Sequence, residues 1–559
     1  MLFFMCYNIL YMRKFRFKFK SVVQLANIKL SVKSAAVVLA SSTLVSALLG
    51  LFRDRLLNSY YLGTYPTGID AYTAAFTIPD FMFFILTSGA LAVSFIPVFN
   101  QRLITGNKKS AWELSSSLIN LFAILTLITS ILIMVFADPL IRYIVSPGLD
   151  ESGMILAINM TRVIAINPFL FSIATVLTSI QQAVGRFIFY AFAPAIYNIG
   201  IIIGITWFTG GINIFGVQIF EGGIMGVALG VILGACLQLV VALIGVFGLG
   251  IDYEFKMYWK NQGFRSILKL LPARSLDQGI DYINGIVNTN LSSRMGAGAV
   301  RSFNQASALH QMPVNLIGVA ISTAFFPKLT EELGEGNQNE FYVTFRQALR
   351  TILWISLPVA AIAFFTRGYV VSFISNIGNN DANGTIASVL GALCVAIFAR
   401  SVFHIAARGF YACQDTKTPF IISIIAIGLT IGLSVLFYKI GWGVDGLGLA
   451  QSIGAVIEII ILLGLLHRRS HGKLLDKVFW QALARMLFAT FITACVAFSM
   501  TKFIPLMATD NSLVITIPKF LLIVAISASA YLAASYFLNL SEAQPIFRYL
   551  KKILFKNVK

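Results

Sequence analysis

Two stretches, one in each half of the chain, resemble each other: GALAVSFIP at residues 89–97 and GVAISTAFFP at residues 318–327. Each is an apolar run that ends in proline, and a basic residue follows it, Arg102 in the first case and Lys328 in the second. Three pairs of prolines lie at similar separations of 234, 230 and 225 residues: Pro79 with Pro313, Pro97 with Pro327, and Pro194 with Pro419. An internal repeat of this kind is typical of membrane transporters built from two related halves.

The composition indicates that lipid surrounds most of the chain. Hydrophobic residues make up 58% of the 559 residues and charged residues 12%, whereas an ordinary soluble domain carries about 25% charged residues. The net charge is +19, but the basic residues fall between apolar runs, which is the pattern of charges that flank membrane helices on the cytoplasmic side. We therefore predict the bilayer as a partner and no nucleic acid.

Apolar segments long enough to cross a bilayer, roughly 20 residues each, recur along the whole chain. The sequence predicts an all-α polytopic membrane protein of about 14 transmembrane helices, with two pseudo-symmetric six-helix lobes and two C-terminal helices. The predicted spans lie near 33–57, 70–99, 113–137, 154–183, 190–209, 220–249, 266–291, 299–327, 346–366, 385–412, 419–440, 445–466, 481–505 and 513–538.

The loops between these spans predict the domain boundaries and the orientation. Lys and Arg concentrate on one side when the loops are assigned alternately to the two faces, so an even number of spans with both termini cytoplasmic is predicted. The predicted parts are a basic N-terminal segment (1–30), an N-lobe (31–250), a cytoplasmic linker (251–263), a C-lobe (264–470), two extra helices (471–545) and a basic cytoplasmic tail (546–559).

An ordered set of motifs resembles the MurJ (MviN) family of lipid II flippases, in the MATE-like (MOP) flippase superfamily. The matching motifs are LGLFRDR at 49–55, DAYTAAFTIPD at 70–80, SGAL at 88–91, FIPVF at 95–99, SPG at 146–148, FAP at 192–194 with Asn198, FYA at 410–412 and QDTKTP at 414–419. The resemblance covers roughly residues 31–540, in the family's order. After Pro79, where some members of the family carry arginine, this chain has Phe81, Met82, Phe83 and Phe84.

The resemblance implies a transporter of the bacterial cytoplasmic (inner) membrane. It implies fourteen helices around a central cationic cavity, a groove for the lipid tail in the extra helices, and lipid II as the substrate, moved outward by alternating access. Membrane potential or an ion gradient is the expected driving force, with Na+ or H+ left open as the coupling ion. No phosphate-binding GxxxxGK[ST] loop occurs in the sequence, so ATP is not expected to drive transport directly. The loops contain no nucleophile–base or metal-ligand cluster, so we predict neither an enzyme nor a cofactor. A flippase for another undecaprenyl-linked glycan, a MATE-like drug or cation antiporter, and a scaffold with a degenerate cavity stay open as alternatives.

Arginines inside the spans are the candidate ligands for the pyrophosphate, because a planar guanidinium makes paired, charge-assisted hydrogen bonds to phosphate. We select Arg53, Arg274 and Arg400. Arg53 matches the first-helix arginine of the family; the alternative is that it snorkels to the outer headgroup layer beside Asp54.

Carboxylates and prolines complete the candidate set. Asp277 and Asp281 share a helical face with Arg274, and they form either an ion or charge-relay site or a cluster that neutralises itself. The residues predicted to act in structure or gating are Asp70, Asp80, Pro79, Pro97, Pro313, Pro327 and Arg408. Asp80 is expected either to pair with an arginine of the first helix or to act in capping or folding, and each proline can bend its helix by freeing a backbone carbonyl. No metal site is predicted.

Overall fold

A computed structural model gives the fold of most of the chain. It describes residues 32–88, 95–214, 217–375, 380–507, 510, 512–545 and 547–548. Within these ranges, no side chain is described for residues 32, 33, 35, 36, 40, 214, 217, 270–278, 280, 281 and 380–382. The predicted basic segment 1–30, residues 89–94 of the repeated stretch, and most of the predicted tail therefore lie outside the described residues.

Nearly all of the described chain is helical. The α-helices are α1 (Val32–Tyr61), α2 (Pro66–Ala75), α3 (Thr77–Phe83), α4 (Ile96–Ile104), α5 (Lys108–Pro139), α6 (Glu151–Ile164), α7 (Asn167–Ala183), α8 (Ile188–Thr206), α9 (Met225–Val246), α10 (Gln262–Ser293), α11 (Ala299–Val314), α12 (Ala320–Gly334), α13 (Gln338–Ser372), α14 (Asn380–Ala412), α15 (Lys417–Lys439), α16 (Gly443–Arg469), α17 (Lys477–Phe503) and α18 (Leu513–Phe537). A short antiparallel hairpin, β1 (Ile212–Ile214) and β2 (Val217–Phe220), joins α8 to α9.

Thirteen helical segments of the described chain are long and apolar enough to cross a membrane. They coincide with the predicted spans except the one at 266–291, which forms the continuous helix α10. Large apolar side chains on their outer faces are exposed, as on α5: Ile128, Ile131, Leu132, Val135 and Phe136. Such surfaces require hydrocarbon rather than water around them, so the prediction of a polytopic all-α membrane protein is confirmed.

Contacts divide the chain into two compact units, a first unit that ends at Thr289 and a second unit that begins at Asn290. The same packing order recurs in both. In the first unit α5 packs on α7, α7 on α9, and α8 on α9; in the second unit α13 packs on α14, α14 on α16, and α15 on α16. This recurrence is the structural form of the repeat seen in the sequence. The division falls near the end of α10, and the predicted lobe boundaries at 250 and 264 stay a prediction.

A π-helical turn interrupts the second helix of each repeat. It occupies Phe84–Ser88 after Pro79 and Asn315–Val319 after Pro313, and the two turns start 231 residues apart, close to the proline separations. Single π-turns inside α-helices mark local widening and often a hinge. Pro97 stands in the first turn of α4 and Pro327 inside α12, so each of these helices continues past its repeated stretch.

Polar contacts fasten α18 and the segment that follows it to α13 of the second unit. Arg350 Nε donates to Glu542 Oε1 at 2.5 Å and Trp354 Nε1 donates to Ser535 Oγ at 3.2 Å. Between α17 and α18, Lys519 pairs with Asp510 at 2.7 Å. Lys519 is therefore part of a structural contact at the start of α18.

The motif QDTKTP forms the entry into α15. Asp415 accepts hydrogen bonds from the backbone N–H and the hydroxyl of Thr418, at 2.9 and 2.6 Å, and pairs with Arg469 at 2.7 Å. Burial alone would raise the pKa of Asp415, but these donors lower it to about 2. The carboxylate is thus ionised at neutral pH and fixes the turn between α14 and α15.

Glycines allow α8 and α9 to cross at very short range. A Cβ on Gly204 would lie 2.6 Å from the Cα of Gly230, and a Cβ on Gly200 would lie 2.2 Å from the Cα of Gly234. Small residues four apart on both helices let their backbones touch, as in other membrane helix pairs. This crossing positions α8, which carries Asn198 of the site described below.

We expect Gly204→Ala to destabilise the protein, because the new methyl group would collide with the backbone of α9, where no side chain can rotate away. The cost should be about 1–3 kcal/mol, as for other overpacked interiors. Thermal unfolding of the detergent-solubilised protein, followed by intrinsic fluorescence, measures it.

Gly428→Ala is the matched control, because Gly428 lies in α15, the counterpart of α8, and has open space around its Cβ position. Alanine is the better helix former by up to about 1 kcal/mol, so this variant should melt at the wild-type temperature or slightly above it. Equal melting of both variants would contradict the tight crossing.

Candidate functional site

The cation Arg53 lies on α1 inside the first apolar span of the first unit. Its Nη1 donates to Asn198 Oδ1 at 2.9 Å, and its Nε and Nη2 donate to Asp54 Oδ1 at 3.2 and 3.0 Å. Its side chain is 24% exposed. A guanidinium has five N–H groups, so two remain after these contacts within the described residues. Arg53 is thus fixed in place by a neighbour on its own helix and by a residue of α8.

Asn198 makes this arrangement possible by linking α8 to α1. Its Nδ2 lies 3.3 Å from the carbonyl of Ser46 and 3.2 Å from the carbonyl of Pro194. A Cβ on Gly50 would lie 4.0 Å from the same nitrogen, which is an ordinary contact distance, so this approach does not require a glycine. With Nδ2 held by the two carbonyls, the amide oxygen is turned towards Arg53. The motif residues around 50 and 194–198 thus act together in one contact.

Other polar side chains of the first unit lie near Arg53. Tyr72 on α2 and Tyr197 on α8 interact with it electrostatically, and Tyr197 also interacts with Asp80. The carboxylate that pairs with Arg53 is its neighbour Asp54; within the described residues Asp80 forms no ion pair with it. Asp70, on α2, is fully buried.

Aromatic side chains occupy positions that follow Pro79 in the first unit. Phe84 stacks on Tyr282 of α10 with ring centroids 4.6 Å apart. Phe83, next to it, contacts Phe171 of α7 at 5.6 Å, and Phe171 contacts Tyr197 at 5.2 Å. An aromatic row therefore runs from α10 to the neighbour of Asn198. The row forms a long π surface. Arg53, which interacts with Tyr197, adds a positive charge at one end of it.

The second unit has its own paired cation, Arg400 on α14. Its Nη1 lies 3.6 Å from Glu458 Oε2 on α16, and Ser423 of α15 donates to the other oxygen of Glu458 at 2.7 Å. The side chain of Glu458 is 3% exposed and that of Arg400 is 23% exposed. A buried carboxylate with partners on two other helices organises this part of the bundle.

Two histidines interact with Arg400, and a second arginine, Arg408, lies further along the same helix. His310 is buried, and its Nδ1 contacts the carbonyl of Ser307 at 2.7 Å. His310 and His404 both interact electrostatically with Arg400. Arg408 donates to Thr323 Oγ1 of α12 at 2.7 Å and lies over the Phe326 ring, so it links α14 to α12.

Three candidates cannot be placed. Arg274, Asp277 and Asp281 belong to α10, but their side chains lie outside the described residues. No group of three or more histidines, cysteines or carboxylates that could hold a metal occurs in the part of the chain that the structure describes. The predicted role of Arg274 as a ligand of the pyrophosphate, and that of Asp277 and Asp281 as an ion or charge-relay site, stay predictions.

Two relevant residues were missed by the sequence reasoning. Glu458 is the single acidic residue in the apolar middle of α16, and an ionisable residue inside a span is itself a functional signal. Arg301, in α11, is 4% exposed, and the same signal applied to it. Both residues could be found from the position of a charged residue in a helical span of the sequence, but the side chains that they contact could not.

The chain matches known proteins over most of its length. A profile of the family described as "Lipid II flippase MurJ" matches residues 58–518. A relative from Bdellovibrio bacteriovorus, "Probable lipid II flippase MurJ", is 26% identical and covers 79% of this chain and 83% of its own length. "Lipid II flippase MurJ" of Burkholderia cenocepacia is 27% identical over 78% of this chain and 84% of its own.

Solved structures share the fold. "Lipid II flippase MurJ, inward closed conformation" superposes with a TM-score of 0.71 at 22% identity, over 90% of this chain and 99% of that one. An inward-facing multidrug resistance MATE family transporter of the MOP superfamily superposes with a TM-score of 0.63 at 19% identity, over 78% and 98%. The predicted resemblance and fold class are confirmed.

We expect Glu458→Leu to destabilise the protein by about 3 kcal/mol, because it leaves Arg400 without its carboxylate in an apolar bundle. The double variant Arg400→Met/Glu458→Leu should recover most of that loss, since well-packed apolar side chains replace a buried pair at little cost. Thermal unfolding in detergent measures both.

Arg142 supplies the control, because its pairs with Asp138 and Glu151 are exposed. Arg142→Met should melt close to the wild-type temperature, because solvent screens an exposed ion pair. If the double variant were no more stable than Glu458→Leu, the contact between Arg400 and Glu458 would not be the structural unit described.

Proposed function

This chain belongs to the MurJ family, and on that premise we propose that it is a flippase that moves lipid II from the cytoplasmic to the outer leaflet of the bacterial inner membrane. The observation that supports the proposal best is Arg53, held by Asn198 and Asp54 inside an apolar span. A fixed guanidinium with free N–H groups is suited to the pyrophosphate of a lipid-linked precursor. The relatives named as lipid II flippases support the choice of substrate.

The carboxylate partners give the proposed site a means of release. In the empty protein, Asp54 and Glu458 neutralise Arg53 and Arg400, so the cations remain stable in the low-dielectric bundle. A pyrophosphate with two negative charges competes for the exposed N–H groups of each guanidinium. When it leaves, the carboxylates restore the pairs, and the site is ready for another substrate.

We assign the predicted residues to roles on the same basis. Arg53, Arg274 and Arg400 contact the pyrophosphate, and Asp277 with Asp281 forms the site of a coupling ion, Na+ or H+. Access alternates between the two faces of the membrane as the halves of the repeat move. The π-turns at Phe84–Ser88 and Asn315–Val319 are the hinges we propose for that movement.

The membrane potential can drive the outward direction. Two negative charges that leave an inside-negative compartment at 100 mV release about 4.6 kcal/mol, at about 2.3 kcal/mol per charge. Since about 1.4 kcal/mol corresponds to a tenfold change, the potential alone favours export by about three orders of magnitude. The protein then needs no nucleotide hydrolysis of its own.

We expect Arg53→Ala to lower lipid II translocation at least about tenfold, because one charge-assisted, partly bidentate contact is worth about 1.5–3 kcal/mol. Arg53→Lys should recover only part of the rate, since an ammonium lacks the planar fork. Exposure of labelled lipid II to a membrane-impermeant reagent in proteoliposomes measures the rate.

Arg142→Ala is the matched control, as Arg142 is also a carboxylate-paired arginine of the first unit but lies on an exposed surface. It should translocate at the wild-type rate. A wild-type rate for Arg53→Ala would remove Arg53 from the site, whereas absence of any lipid II movement by the wild type, combined with efflux of an organic cation, would favour the antiporter.

The role of the potential has a separate test in the same vesicles. An inside-negative potassium diffusion potential should raise outward lipid II exposure relative to vesicles with collapsed gradients, because the substrate carries negative charge across the field. A reversed potential should slow it. Equal rates under all three conditions would contradict electrical driving while leaving the choice of substrate intact.

A further inference from the structure

A cleft on the first unit lies outside the proposed transport site. It has a volume of about 1030 Å³ and opens between the α4–α5 turn and the segment that precedes α10. By the charge distribution of the loops, this end of the unit is the cytoplasmic one. The lining residues that carry the argument are Arg102, Lys109, Glu113, Lys256, Trp259 and Lys260.

The segment that forms one wall is neither helix nor strand, but hydrogen bonds with side chains of α5 hold it in place. Asn120 of α5 donates to the carbonyls of Glu254 and Lys256 at 2.9 and 3.0 Å. Ser117 of α5 accepts a hydrogen bond from the backbone N–H of Tyr258 at 2.9 Å. These side chains satisfy backbone groups that would otherwise need water. The cleft is therefore a built feature rather than a gap beside a loose loop.

The floor is fixed as well. Arg102 donates to Asn261 Oδ1 at 2.6 Å and to the carbonyl of Ser110 at 3.1 Å. Asn261 in turn accepts a hydrogen bond from the N–H of Phe264 in the first turn of α10. In the same way, Asn107 Oδ1 accepts a hydrogen bond from the backbone N–H of Ser110 in the first turn of α5. The positive ends of two long helices therefore meet at the cleft.

Charge in the cleft is strongly one-sided. Arg102, Lys109, Lys256 and Lys260 face a single carboxylate of the lining, Glu113. The three lysines are exposed and form no ion pair within the described residues. The nearby Glu254 accepts a hydrogen bond from the Tyr258 hydroxyl, and this contact raises the pKa of Tyr258 to about 12.

Exposed aromatics next to these lysines indicate that the ligand is part of the membrane. Phe255 is 79% exposed and Trp259 is 55% exposed, and each stands beside a lysine. Aromatic rings of this kind collect at the headgroup level of a bilayer, and basic pockets at the cytoplasmic ends of membrane helices bind anionic headgroups. A soluble anion would gain nothing from the two rings.

We propose that this cleft binds the phosphodiester headgroup of an anionic phospholipid of the cytoplasmic leaflet, with Lys109, Lys256 and Lys260 around the phosphate and the acyl chains beside Phe255 and Trp259. The bound lipid holds the segment before α10 at the membrane surface. The site differs from the transport site in its location and its ligand, so it does not depend on the proposed function.

Photo-crosslinking to the full chain in phosphatidylcholine nanodiscs tests the proposal. A photoreactive phosphatidylglycerol should label peptides that contain residues 102–113 and 255–262, and a photoreactive phosphatidylcholine should label them much less. Lys256→Gln/Lys260→Gln should reduce the phosphatidylglycerol labelling about tenfold, because each lysine near the surface contributes several-fold to the attraction.

Lys417→Gln/Lys477→Gln is the matched control, with the same charge change at two exposed lysines on the same predicted side but outside the cleft. It should label as the wild type does, and both variants should melt at the wild-type temperature. Equal labelling by the two photoreactive lipids, or equal labelling of the two double variants, overturns the proposal. Competition by inorganic phosphate at constant ionic strength would assign the cleft to a soluble anion and overturn it as well.

Discussion

A charge inside an apolar helix bundle must have a partner, and this constraint organises both units of the protein. Removing a guanidinium from water costs several kcal/mol unless an opposite charge and hydrogen bonds compensate it. Arg53 obtains them from Asp54 and Asn198, and Arg400 from Glu458. Because each pair leaves the guanidinium partly exposed, the same contacts that stabilise the empty protein leave room for a stronger anion.

The repeat and thirteen of the fourteen expected spans could be predicted from the sequence, since they depend on local properties. A span is a run of about 20 apolar residues, and the three proline pairs fix the correspondence between the halves. The π-turns after Pro79 and Pro313 could not be read from the pattern, although their positions agree with the proline separations. Their formation depends on how neighbouring helices pack around the bend, which hydropathy does not contain.

The site could be predicted only in part, because its contacts join distant parts of the chain. Arg53 and Asn198 were both recognised in the sequence, yet nothing local shows that residues 145 positions apart share a hydrogen bond. Two carboxylates were considered beside the first-helix arginine: Asp54 pairs with Arg53, whereas Asp80 forms no ion pair with it within the described residues. Periodicity places side chains on faces of one helix, but the neighbouring helix decides which of them meet.

The comparison of the two halves separates what the repeat preserves from what it does not. Both second helices contain a π-turn at matching positions, and both units pack their third to sixth helices in the same order. The charges differ: the first unit holds its cation on α1 and the second unit on α14, in the positions of the first and fourth helices of their repeats. Geometry that permits bending is thus common to both halves, while the carboxylate-paired cations stand at different helices of the repeat. Under the function proposed above, the substrate carries its pyrophosphate at one end and is itself unsymmetrical, so two halves with the same bends but different charges are suited to it.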